Sequence, residues 1–127
     1  MSGGARIPHF PSPAPIEAYG NGGFRFADMS HRGSLLCLPD GIWAWDVVAP
    51  DIIDAPSLVR VIALAGRIDT LILGTGSDVW IAPQTLRAEL RNRKIVLDTM
   101  LTGPAIRTYN VMLSEGRRVA AALIAVP

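Results

Sequence analysis

The stretch TLILGTGSDVWIAPQTLRAELRNRKIVLDTMLTG, residues 70–103, decides the fold of this 127-residue chain. Residues 69–73 form a short apolar run that predicts a buried strand, and residues 95–97 predict another. Between them, Pro83 suits the first turn of a helix, and basic side chains crowd its end at residues 91–94. A strand, a helix and a strand at this spacing are typical of an α/β unit with parallel pairing.

The following residues continue this alternation. Gly103 and Pro104 start a further helix and Gly116 ends it. Asn110 lies on the apolar face of this helix, where it is expected to bond buried backbone and not a ligand. Residues 119–126 are rich in valine, isoleucine and alanine and predict a closing strand.

The first half of the chain has a β-like pattern from residue 16 to residue 48. Residues 24–26 (Phe-Arg-Phe) alternate as a half-buried strand does. The apolar run 34–38 and the run 42–45 are separated by Pro-Asp-Gly at 39–41, which has the chemistry of a tight turn. These two runs therefore predict a β-hairpin within a small antiparallel meander.

Composition sets the domain organisation and excludes several classes of protein. Residues 1–15 carry four prolines and predict a flexible arm, whereas residues 16–127 predict a single domain. A formal net charge of +1 gives no general electrostatic basis for binding nucleic acid. No apolar run is long enough for a membrane span or a signal peptide, so a cytoplasmic location is expected.

Two segments follow the carboxyl ends of the predicted strands, namely 74–76 (Gly-Thr-Gly) and 98–103. Right-handed βαβ geometry places both segments at the same edge of the sheet, where open α/β sheets form ligand crevices. Nucleotide binding is disfavoured, because Val79 stands where a dinucleotide fingerprint needs its third glycine. A phosphate-binding loop is also disfavoured, because no lysine precedes Lys94.

A smaller anion remains an alternative occupant of this crevice. Thr102 or Gly103 would cap the next helix, and Arg107 near its first turn would add a guanidinium to the helix amides. A structural ion pair between Asp98 and Arg107, and glycines that only turn the chain, are the competing interpretations. The candidate ligand-binding residues are Gly74, Thr75, Gly76, Ser77, Asp98, Thr99, Thr102 and Arg107.

Catalytic and metal-binding sets are missing from the sequence. His31 is the one histidine in the predicted domain, since His9 lies in the arm, and Cys37 is the one cysteine. A metal cluster, a Ser-His-Asp triad or a Cys-His pair cannot be assembled from these residues. No catalytic residue, metal or cofactor is predicted, and the sequence favours a protein without enzymatic activity.

The three tryptophans have two interpretations. Trp43 and Trp45 point to the same face of their strand, and Trp80 follows the glycine-rich turn. They are either buried packing residues or an exposed surface for a protein partner, because exposed tryptophans are frequent binding hot spots.

The second half of the chain resembles a known family. The resemblance rests on GTG at 74–76, on DTMLTGPAIRTYNVMLSEGRRVAAALI at 98–124 and on the tryptophan hairpin. Its most specific part is RTYNVMLSEGR at 107–117. This family of small α/β proteins occurs in bacteria, archaea and mitochondria. It includes the mitochondrial respiratory complex I assembly factor 3 and an adipogenesis-associated vertebrate homologue.

The resemblance implies a single compact α/β domain with a central mixed, largely parallel sheet, flanking helices and an added N-terminal antiparallel β-hairpin layer. It implies no reaction, because the family has no established catalytic residues to carry over. The mitochondrial branch is a non-enzymatic assembly factor that acts through protein partners at the inner membrane, and this chain looks like a bacterial cytosolic member.

The leading hypothesis is therefore a non-enzymatic protein-interaction domain, resembling an assembly factor, that supports assembly of a membrane or respiratory complex. The alternative hypothesis is a small-molecule or anion-binding domain, or a weak enzyme, that uses the crevice between residues 74–76 and 98–103. The sequence leaves open the identity of the protein partner, a symmetric homodimer and peripheral association with a membrane.

Overall fold

The computed structural model describes residues 8–127. It contains two sheets and three α-helices. The small sheet consists of β1 (Ala18–Gly20), β2 (Gly23–Phe26) and β3 (Met29–Arg32), and the main sheet of β4 (Ser34–Leu38), β5 (Gly41–Trp45), β6 (Thr70–Gly74), β7 (Val96–Met100) and β8 (Val119–Leu123). The helices are α1 (Val59–Ala63), α2 (Gln84–Asn92) and α3 (Thr102–Ser114), with 3-10 turns at Pro50–Ile52, Pro56–Leu58 and Ala65–Arg67.

The main sheet is mixed and has the strand order β5-β4-β8-β6-β7. Strand β8 lies at its centre, and the neighbouring β6 pairs in parallel with both β7 and β8, as the alternation of strands and helices predicts. The interior of β6 is apolar. Its residues Leu71, Ile72 and Leu73 are fully buried, because helices cover both faces of the sheet. The predicted α/β fold is confirmed.

The predicted hairpin of β4 and β5 is also confirmed, with Leu36 opposite Trp43. It forms one side of the main sheet, because β4 pairs antiparallel with β8. The added N-terminal antiparallel layer that the family resemblance implies is the small sheet of β1, β2 and β3, and not the β4–β5 hairpin.

The main sheet separates two apolar clusters. Helices α1 and α2 cover one face, where Leu58, Val61 and Leu90 are fully buried. Helix α3 and the small sheet cover the other face, where Phe26 and Tyr109 pack together with the β4 side chains that point to this face. The fold therefore has three layers, with the main sheet in the middle.

Asn110 joins the small sheet to α3. Its side-chain oxygen accepts a hydrogen bond from the Ile16 amide at 2.9 Å, and its side-chain nitrogen donates to the Ile16 carbonyl at 2.8 Å. The prediction that Asn110 bonds backbone is thus confirmed. These two bonds fix the chain that enters β1 against the helix.

The part of the predicted proline-rich arm that the structure describes, residues 8–15, lies against the domain. The His9 amide donates to the Ile42 carbonyl at 2.8 Å, and the Ile42 amide donates to the Phe10 carbonyl at 2.9 Å. Ala14 is buried. Residues 8–10 therefore cover part of the β5 edge, whereas the remaining arm residues, 1–7, lie outside the described part of the chain.

Candidate functional site

The two segments predicted to meet at the carboxyl edge of the sheet lie side by side. Gly74 at the end of β6 is paired with Met100 at the end of β7. The next residue, Thr75, donates its amide hydrogen to the Met100 carbonyl at 2.8 Å. The predicted meeting point of residues 74–76 and 98–103 is therefore present.

The predicted loop at 98–103 is wrong in its local structure. Strand β7 continues to Met100, because its pairing with β6 persists as far as Gly74. Helix α3 begins at Thr102, so Leu101 alone joins the strand to the helix. Little free backbone is left in this segment to surround a ligand.

Thr102 bonds the two segments to each other. Its amide donates to the Gly76 carbonyl at 3.1 Å, and its hydroxyl oxygen accepts from the Gly76 amide at 2.9 Å. The same hydroxyl donates to the Ile124 carbonyl at 2.7 Å, and Thr102 is fully buried. The prediction that Thr102 or Gly103 caps α3 is wrong, because the cap position is Leu101 and the Thr102 hydroxyl is directed into the sheet.

The start of α3 offers few free amides to an anion. The Thr102 amide is bonded to Gly76, Pro104 has no amide hydrogen, and the Ala105 amide donates to the Leu101 carbonyl at 2.9 Å. Gly103 is buried beneath the Tyr19 hydroxyl, which lies where a side chain at that position would begin.

The remaining candidate residues are dispersed around this edge. The Thr75 hydroxyl donates to the Asp78 carbonyl at 2.8 Å and so closes the turn, while Ser77 is exposed. Asp98 and Arg107 are both exposed, and no ion pair joins them in the described structure. The predicted Asp98–Arg107 pair is therefore not formed, and Thr99, the next residue of β7, is half-buried.

The hairpin tryptophans are buried, and their polar atoms are bonded within the domain. Trp43 and Trp45 lie in the cluster under α1, as their shared strand face predicts, with exposed fractions of 8% and 7%. The Trp43 indole donates to Asp40 at 2.9 Å and the Trp45 indole to the Ser57 carbonyl at 2.8 Å. Arg60 covers the Trp43 ring, 3.7 Å from its centroid. Little surface of either indole ring is exposed to a partner. Trp43 and Trp45 therefore fit the interpretation as buried packing residues better.

Burial makes the potential nucleophiles unreactive. It raises the pKa of the fully buried Cys37 thiol to about 12 and also raises the pKa of Tyr109, to which the nearby Cys37 contributes. The rings of His9 and His31 are 4.6 Å apart, and partial burial followed by the charge of His9 lowers the pKa of His31. Within residues 8–127, no three side chains of His, Cys, Asp or Glu form a group able to hold a metal ion.

Exposed aliphatic side chains are the feature that sequence reasoning missed. Seven valines and isoleucines of the described residues expose more than half of their surface, and five of them follow β5 or β6: Val48, Ile52, Val59, Val79 and Ile81. Val59 is the first residue of α1, and the other four lie outside the α-helices and strands. Their sequence signal is a set of valines and isoleucines outside any periodic run, among prolines and aspartates.

The fold and the site together define a small α/β domain with a closed carboxyl edge, buried nucleophiles and an exposed aliphatic surface. Within residues 8–127, no helix has the length and apolar character that a membrane crossing requires. A family model described as protein of unknown function (DUF498/DUF598) matches residues 16–124. The chain belongs to this family, which confirms the predicted resemblance.

Three similar proteins place the chain within this family. It is 40% identical to an uncharacterized protein of Rhodobacter capsulatus over 122 residues, which are 96% of this chain and 93% of the relative. It is 32% identical to NADH dehydrogenase (ubiquinone) 1 alpha subcomplex assembly factor 3 of Mus musculus over 119 residues, 93% of this chain but only 64% of the mouse protein. The solution structure of a Rhodopseudomonas palustris protein is 65% identical, has a TM-score of 0.85, and is covered to 94% by the whole of this chain.

Proposed function

We propose that this chain is a non-enzymatic protein-interaction domain that supports assembly of a membrane or respiratory complex. The observation that carries the proposal is the similarity to the mouse assembly factor 3, which extends over 93% of the chain. The mouse protein is longer, so the role proposed here is that of the shared domain.

The geometry of the carboxyl edge supports an interaction role over ligand binding or catalysis. The amides of Gly76, Thr75 and Ala105 are bonded to Thr102, Met100 and Leu101. Burial raises the pKa of Cys37 and of Tyr109 further above neutral pH, so neither is available as a deprotonated nucleophile. Exposed aliphatic side chains are the usual means by which such a domain holds a protein partner.

The proposed location is the bacterial cytoplasm, with peripheral contact to the membrane through the bound partner. The unpaired Cys37 suits a reducing compartment. The 40% identical relative from Rhodobacter capsulatus supports a bacterial origin.

Removal of the gene from the cells that encode this chain tests the proposal. We expect the amount of fully assembled NADH:ubiquinone oxidoreductase to fall on native gels, and partly assembled forms to accumulate. Expression of the wild-type chain should restore the complex, while the amount of ATP synthase should stay constant in every strain. An unchanged amount and size of the NADH:ubiquinone oxidoreductase would exclude this role.

A further inference from the structure

A groove of about 460 Å³ lies between the end of β5 and helix α1. One wall is formed by residues 44–47 and the other by residues 56–63. Val47 on the first wall and Val59, Pro56 and Ala63 on the second give it an apolar lining. Val59 is 63% exposed, so this apolar surface is open to solvent in the described structure.

The first wall of the groove is an unpaired strand edge. The amide and carbonyl of Ile42 bond to residues 9 and 10, and therefore point away from β4. Backbone direction repeats every second residue of a strand, so the amide and carbonyl of Ala44 also point outward. Neither group of Ala44 has a hydrogen-bond partner within residues 8–127, because the cover formed by residues 8–10 ends at Ile42.

The surroundings of the groove are acidic and apolar. Asp46 lines the groove, and the segment that joins its two walls carries Asp51 and Asp54 together with Val48 and Ile52. Residues 33–59 contain no lysine or arginine. Asp46 and Asp51 form no ion pair in the part of the chain that the structure describes.

The guanidinium of Arg60 offsets only part of this charge. Arg60 is half-buried and lies over the Trp43 ring, where the cation–π contact holds it in place. Asp46 and Arg60 are the charged residues that line the groove, and Asp51 and Asp54 lie in the segment that joins its walls. The groove and this segment together therefore carry three aspartates against one arginine, a net negative charge.

We propose that this groove binds an extended apolar segment of a protein partner that carries lysine or arginine, by addition of a strand to the β5 edge. Ala44 supplies the backbone hydrogen bonds, the aliphatic walls take alternate side chains, and Asp46 and Asp51 attract the basic ones. A second copy of this chain is disfavoured as occupant, because its own groove would bring aspartates against aspartates. This inference rests on the proposed interaction role and specifies the partner surface.

A peptide titration tests the inference. Short peptides are added to the isotope-labelled chain, and its amide NMR signals are followed. The probe is a peptide in which valine alternates with lysine, and its matched control has glutamate in place of lysine. We expect the lysine peptide to shift the amides of residues 44–47 and 56–63 and to slow hydrogen exchange at Ala44. The glutamate peptide should produce neither effect.

Two variants separate the charge from the backbone contribution. Asp46→Asn/Asp51→Asn should raise the Kd of the lysine peptide by about two- to thirtyfold at low salt, the range for two exposed ion pairs. Ala44→Pro should abolish binding, since proline removes the outward amide while β4 and β5 stay paired. Val96→Ser, which changes an exposed valine on the opposite edge strand, should leave binding unchanged.

Several results would overturn the inference. These are equal binding of the glutamate peptide, shifts confined to β7, absence of binding, or the same shifts produced by raising the protein concentration without peptide. The double aspartate variant keeps the experiment informative if Ala44→Pro fails to fold. Peptide binding and complex assembly in the deletion strain are measured separately, so either proposal can fail while the other stands.

Discussion

Gly74 is the residue at which the carboxyl edge of the sheet is closed. A Cβ at this position would lie 2.9 Å from the Thr102 hydroxyl oxygen and 3.0 Å from the Thr102 Cα. We expect Gly74→Ala to push α3 away from β6 and to lower the free energy of unfolding by about 1–3 kcal/mol, as overpacking of a core does. Urea unfolding followed by circular dichroism measures this change.

Gly66→Ala is the matched control for this substitution. Gly66 has nothing within 4 Å of the added methyl group. We expect it to leave stability unchanged or to raise it by about 0.4–1 kcal/mol. Equal stability of the Gly74→Ala variant and the wild type would show that the start of α3 can move without cost.

The sequence identifies this glycine but not the reason for it. A glycine after an apolar strand predicts a turn, whereas Gly74 is still paired within β6 and is needed because Thr102 approaches it closely. Thr102 lies 28 residues further along the chain, and local patterns carry no information on such a contact. The same limit explains why Thr102 is predicted to be a helix cap, although its hydroxyl bonds Gly76 and Ile124.

At the scale of elements, Asn110 should determine how firmly the chain entering β1 is held on α3. We expect Asn110→Ala to lower the free energy of unfolding by about 1–3 kcal/mol, because the Ile16 amide and carbonyl lose their partners. Hydrogen exchange at the Ile16 amide should become faster than at the amides of β6.

Val111→Ala is the control for Asn110→Ala, since Val111 is the next residue of the helix and is 56% exposed. We expect Val111→Ala to change neither the free energy of unfolding nor the hydrogen exchange of the Ile16 amide appreciably. Unchanged protection of the Ile16 amide in Asn110→Ala would mean that packing, and not these two hydrogen bonds, holds β1 in place.

The contact between residues 8–10 and β3 should make stability depend on pH. Partial burial, followed by the charge of His9, lowers the pKa of His31 below its usual 6.5, while a backbone hydrogen bond with Ser34 opposes the shift. The unfolded chain therefore binds a proton at a higher pH than the folded chain does. This contribution to stability is complete above pH 6.5 and is lost as the pH falls through the lowered pKa of folded His31.

Urea unfolding above and below pH 6.5 measures this dependence in the wild type and in His31→Gln. We expect the variant to lose less stability on acidification than the wild type. His9→Gln removes only the neighbouring charge and should have a smaller effect in the same direction. An identical loss in wild type and His31→Gln would show that other groups produce the pH dependence.

Most elements follow from the sequence, but their assembly into two sheets does not. The helical spacing of apolar residues predicts α2 and α3, and the two apolar runs on either side of Pro-Asp-Gly predict the β4–β5 hairpin. These local patterns cannot say which strands of different hairpins pair. Gly33 alone separates β3 from β4, and its φ of +97°, which glycine adopts without strain, lets the chain leave one sheet and enter the other.

At the scale of the whole molecule, the carboxyl edge of the main sheet and the β5 edge differ in their backbone hydrogen bonding within the described residues. At the carboxyl edge, where the topology predicts a ligand crevice, the amides of Thr75, Gly76 and Thr102 are hydrogen-bonded within the domain. At the β5 edge, the amide and carbonyl of Ala44 have no hydrogen-bond partner within residues 8–127, and exposed aliphatic side chains lie beside them. Sheet topology thus indicates where a ligand crevice could form. Whether a ligand can bind there depends on whether the backbone groups at that edge are already hydrogen-bonded within the domain.

We therefore expect the carboxyl edge not to bind small anions. A ligand present at 100 times its Kd would add about 2.7 kcal/mol to the free energy of unfolding, which a thermal shift detects easily. Phosphate, citrate and glutamate should leave the Tm of the wild type unchanged. Arg107→Gln should also leave stability within about 0.5 kcal/mol of the wild type, because Arg107 is exposed and unpaired in the described structure. A concentration-dependent rise in Tm that disappears in Arg107→Gln would instead mean that anions open this edge by displacing Thr102 from Gly76.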